Sequence, residues 1–174
     1  MSDTPLLAEE QVVAELSQWG IGYLSRDVEL PPFPLRAPDD LLAAIVRQPS
    51  SRVRVALIAL LLARPEFANA VPAALRRLAP AHAQTLKFLY TAAVLLQQQF
   101  AAELQTRLGP RWSLLPDWFA DDLRVAGDTP LARLQSLAGH HAQWSGEHLN
   151  WAGTYENAAR LLLRRWEMEH AWSR

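Results

Sequence analysis

The stretch HAQTLKFLYTAAVLLQQQFAAELQTRL, His82 to Leu108, decides the fold. Leu86, Leu89, Tyr90, Ala93, Leu96, Phe100, Leu104 and Leu108 recur at helical spacing on one face. Lys87, Thr91, Gln98, Gln99 and Gln105 lie away from it. Apolar residues three and four apart form a stripe that an α-helix gathers on one side and a strand does not. The spacing predicts one long amphipathic helix over His82–Leu108, stopped by Gly109–Pro110.

The same period runs outward in both directions. Towards the N-terminus, VALIALLLA (Val55–Ala63) sits in a helix predicted for Arg52–Arg64. Leu57, Ile58, Leu60, Leu61 and Leu62 make that helix apolar nearly all round, which suits the centre of a bundle. Pro65 opens a further helix to about Leu78, with a kink expected at Pro72. Ser50–Leu78 loosely resembles one HEAT-type helical hairpin, but no second copy follows at a fixed period. Before it, Asp39 and Asp40 favour a helix start that reaches about Gln48. LPPFPLRAP (Leu30–Pro38) carries four prolines and reads as a stiff, non-helical crossover. A first helix is predicted over Ala8–Trp19, ended by Gly20.

Towards the C-terminus, a connector is expected to hold one short helix, Asp117–Val125. Leu131–Trp144 and Glu147–His170 are the last two helices. With period-2 alternation nearly absent, the fold class is all-α: an irregular bundle or short array of seven or eight helices without a sheet. A single helical domain over 1–174 is expected, with a possible subdomain break near 109–116.

Composition narrows the function classes. There is no cysteine, so disulfides, thiolate metal sites and thiol nucleophiles are excluded. The formal charge is −1, which argues against nucleic acid as a partner, since no global basic field would hold a polyanion. Lys87 is the only lysine among 17 basic residues, a bias that fits a GC-rich coding sequence. The start MSDTPLLAEEQ lacks signal-peptide character, and the longest strongly apolar run is about half a membrane span. The expectation is a cytoplasmic protein with no membrane partner. No phosphate loop, dinucleotide glycine fingerprint or serine elbow is found.

The chemistry-bearing residues gather late in the chain. Trp144 shares a stripe with Leu134 and Leu137, and Trp166 with Tyr155 and Leu162, so both read as core. Trp112, Trp118 and Trp172 lack such stripes and are the candidate partner-binding residues. His140, His141 and His148 lie near Glu147, but adjacent helical residues point about 100° apart, so one ion is poorly served. His141 falls on the apolar stripe and His140 on the polar side. Glu167 and His170 form a single Glu-x-x-His pair where bundle metal sites need two. No metal or cofactor is expected. Asp117, Asp121 and Asp122, and the pairs Arg76–Arg77 and Arg164–Arg165, read as solvated faces, with Glu156–Arg160 a favourable i,i+4 bridge.

Arg165 and His170 are the one catalytic alternative. An arginine and a histidine separated by four to six residues on a late helix resemble HEPN-type domains, which are all-helical and of similar size. The resemblance covers two residues and a fold class, and Arg133–His140 has a comparable spacing. It implies an RNA- or nucleotide-directed role in which Arg165 holds phosphate and His170 moves a proton. Trp166 departs from the family's pattern, in which a polar residue follows the arginine. The leading expectation is a non-catalytic accessory protein that associates with itself or with a co-encoded protein. A third class is binding of a small ligand between helices, which requires a preformed cavity.

Overall fold

The computed structural model describes residues 4–25 and 34–174. Eight α-helices and no strand occur among the described residues. They are α1 (Thr4–Gln18), α2 (Pro38–Val46), α3 (Ser51–Ala63), α4 (Val71–Arg77), α5 (Pro80–Gln99), α6 (Ala101–Leu108), α7 (Pro130–Ser145) and α8 (Trp151–Trp172). Pro65–Ala70 and Gly109–Arg111 are 3-10 turns. The all-α reading therefore holds.

The central element is α3. Every residue from Val55 to Ala63 is buried, and the helix packs against α2, α5 and α8. Burying a leucine of this kind contributes about 1.5–3 kcal/mol, so Leu57→Ala or Leu60→Ala would open a costly cavity. α3 and the segment after it bend apart by 116°, and no single described helix is long and apolar enough to cross a membrane. α7 lies along α5, and α8 packs on α3, α5 and α7.

Local chemistry explains the ends. Pro38 opens α2 where a missing N–H costs nothing, and Asp39 and Asp40 occupy its first turn. Arg77 of α4 bridges both acids, with Nε 3.0 Å from Asp39 Oδ2 and Nη1 on Asp40. Thr129 caps α7 by accepting from Ala132 N–H at 3.1 Å, and Gly146 ends it with φ 69°, which favours glycine.

Four expectations need correction. The helix predicted over His82–Leu108 is two, broken at Phe100 (φ −107°, ψ 25°). One residue off helical geometry leaves the apolar period almost intact, so the sequence does not betray it. Thr91 is buried, not exposed, and its hydroxyl donates to Lys87 O at 2.8 Å. Asp117–Val125 is not a helix. A single turn closes with Leu123 N–H to Phe119 O (2.9 Å) and Val125 N–H to Ala120 O (2.9 Å), and Arg124 adopts φ 55°. That left-handed residue with a wider closing bond is a helix-stop geometry. The last helix starts at Trp151 rather than Glu147, because Asn150 caps it by accepting from Gly153 N–H at 3.0 Å. The proline-rich crossover lies partly outside the described residues; Pro34–Ala37 are non-helical.

The connector is held by two α5 side chains. Gln97 donates to Ser113 O (2.8 Å) and accepts from Leu115 N–H (2.9 Å). Tyr90 donates its hydroxyl to Pro116 O at 2.7 Å. Leu115, Phe119 and Leu123 are buried beneath this bracket.

Candidate functional site

Two places combine unusual side chains with available space. The first is a cleft of about 400 Å³ between the α2–α3 turn, the start of α5 and the α7–α8 junction. His141 of α7 lies at its base, only 2% exposed. Its ring is sandwiched between Phe88 of α5 (centroids 4.4 Å, planes 5° apart) and Trp151 of α8 (3.7 Å, 19°). Nδ1 is hydrogen-bonded to the Tyr155 hydroxyl. Burial drives the His141 pKa down to about 4, and the Arg54 guanidinium adds to the drop, so the imidazole is neutral near pH 7.

Hydrogen-bond accounting fixes the tautomer. Tyr155 is fully buried, burial raises its pKa, and among the described residues its hydroxyl has no acceptor other than His141. An orphaned buried O–H is costly, so Tyr155 donates to Nδ1. Nε2 then carries the ring proton. Arg54 is pinned at the cleft wall by Nη1 bonds to Gln48 O (2.8 Å) and Pro49 O (2.7 Å). Among the described residues no carboxylate lies within ion-pair range of Arg54. Gln48 Oε1 and Trp151 Nε1, both in residues lining the cleft, are buried without a partner.

The second place is the free side of α8. Trp151, Tyr155, Ala158, Ala159 and Leu162 are buried on one face. Leu161, Arg165, Met168 and Trp172 follow a second stripe, about 100° round the helix. Met168 is 49% exposed and Trp172 81%. Beside Leu161 opens a groove of about 380 Å³ lined by Tyr23, Leu149 and Thr154 among others.

The sequence-predicted residues distribute as follows. Trp172 is fully outward; Trp118 is exposed at its edge but stacks on Tyr90 (5.4 Å, 7°). Trp112 is half-buried against the core. Trp166 is also partly buried against the core, as its stripe predicts, whereas Trp144 is 45% exposed. Phe88 and His141 fill the space Trp144 was expected to take, and its ring lies tilted over Phe88 at 5.5 Å. His141 is buried and His140 half-buried, with Nε2 3.1 Å from Arg124 O.

Among the described residues, Arg165 and His170 do not share a cleft. The Arg165 guanidinium lies over Gly22, so close that a Cβ there would come within 2.9 Å of Nη2, and its Nε reaches Glu169 at 3.2 Å. His170 faces Arg174 at 3.2 Å and a shallow groove with Arg107 and Arg111. Five residues along a helix is about 140° of rotation, which separates the two. Among the described residues no group of three or more His, Asp or Glu side chains converges on a point. The sandwich around His141 escaped the sequence reading, because Phe88 and Trp151 lie on separate helices.

The described residues thus form an all-α bundle with a buried neutral histidine and, among themselves, an unpartnered side of α8. No protein family profile matches the chain, and no curated protein or solved structure is significantly similar to it.

Proposed function

We propose that the protein is a non-catalytic association module that pairs with a second copy of itself through the free side of α8. The observation that carries this reading is Trp172, a large indole left 81% exposed at the end of an apolar stripe. Such a residue anchors interfaces when a pocket receives it. An antiparallel pair centred between Arg165 and Met168 packs the stripe on itself, with like flanks of the two copies meeting. Leu161, beside its groove, then faces Trp172 of the second copy. A two-fold pair of this kind uses one patch twice and closes.

Light scattering on the purified chain across a concentration series tests the proposal. A dimer is expected, lost in Trp172→Ala and weakened in Leu161→Glu. A monomer up to about 0.1 mM, or a dimer indifferent to both variants, would overturn it.

A further inference from the structure

We infer that the cleft at His141 is a binding site for a small monocarboxylate with an apolar or aromatic body. The inference is independent of the pairing of α8.

The donor set supports it. His141 presents Nε2–H with no partner among the described residues, in a residue that lines the cleft. Trp151, more than nine-tenths buried, has an unpartnered Nε1–H. Arg54 has Nε and Nη2 uncommitted and no carboxylate partner among the described residues. A guanidinium fork and two neutral N–H donors in residues that line one cleft match a carboxylate. Leaving buried donors unpaired costs about 1–3 kcal/mol each, a cost that a bound acceptor removes.

The rest of the lining sets the body and the charge. Val46, Val55, Leu89 and the Trp144 indole form an apolar wall. The volume, about 400 Å³, lies in the range of small-molecule sites. Glu147 stands at the same cleft. Its charge disfavours a dianion, which selects a monocarboxylate over a phosphate monoester.

The test is a two-dimensional NMR titration of the folded chain with benzoate, read at the Trp151 Nε1–H and the Gly146 amide. It is run on the Trp172→Ala variant, so that the state of α8 does not bear on the result. Saturable shifts at both probes are expected with a Kd of about 1 mM or below. Arg54→Gln should weaken binding at least about tenfold, the scale of one charge-assisted hydrogen bond. Thr85→Phe, which fills the cleft from an accessible α5 position, should abolish it in a chain whose circular dichroism is unchanged. Absence of saturation, an equal affinity for benzyl alcohol, tighter binding of inorganic phosphate, or binding that survives Thr85→Phe would each overturn the inference.

Discussion

Acid should weaken this fold through His141, and the size of the effect follows from its surroundings. The imidazole has an ordinary value of 6.5 in the unfolded chain and about 4 when folded. Between those values the unfolded chain binds the extra proton, so stability is fully present above pH 6.5 and is lost as pH falls towards 4. The full drop corresponds to about 3 kcal/mol, at about 1.4 kcal/mol per tenfold change. The perturbation that isolates it is His141→Phe. A phenyl ring keeps the stack between Phe88 and Trp151 but cannot accept from Tyr155. At pH 7 the orphaned hydroxyl should cost about 1–3 kcal/mol, and the double variant with Tyr155→Phe should recover most of it. Between pH 6.5 and 4 both variants should lose less stability than the natural chain, with the gap approaching the full drop. Urea unfolding followed by circular dichroism at several pH values measures this. Parallel pH profiles for the natural chain and His141→Phe, or an imidazole that titrates near 6.5 by NMR, would refute the reasoning.

Three other outcomes follow from the packing. Gln97→Leu removes both bonds that hold the connector, leaving Ser113 O and Leu115 N–H unpaired; a loss of about 2–4 kcal/mol in urea unfolding is expected. Arg36→Met takes the guanidinium from beside Glu15, whose carboxylate is fully buried with Arg36 Nε at 3.0 Å. Burial already raises the Glu15 pKa against the opposing pull of Arg36, so stability should fall by about 3–5 kcal/mol at pH 7. The deficit should shrink as pH drops through the raised value, since a protonated Glu15 needs no counter-charge, and denaturation at two pH values checks the sign. Arg124→Gly relieves a left-handed residue with a Cβ and should raise stability by up to about 1 kcal/mol, visible as a higher Tm.

Much of the framework was legible from periodicity. α3 reads as central because no face of it is polar, and α8 presents its buried stripe at the spacing the sequence predicts. What failed had identifiable physical causes. Phe100 interrupts a helix without disturbing the apolar period on either side. Asp117–Val125 has helical composition, yet Arg124 turns left-handed after one turn while α5 ties down the chain just before it. The start of α8 was readable in principle, since asparagine is a good cap and Asn150 stands just before Trp151. The cleft was legible only in part. His141 declares itself buried by its stripe, but its lowered pKa depends on Phe88, Arg54 and Trp151, which three other helices supply.

The aromatic sandwich also determines where the molecule comes apart first. One ring on α7 is clamped between one ring on α5 and one on α8, so a charge on His141 acts on the joint between the last two helices and the rest. The segment on the far side of that joint is then expected to open before the rest. In mild acid, amide hydrogens of α7 and the first turns of α8 should exchange well before those of α3. The chain would then shed its C-terminal helices as a block while its centre stays closed.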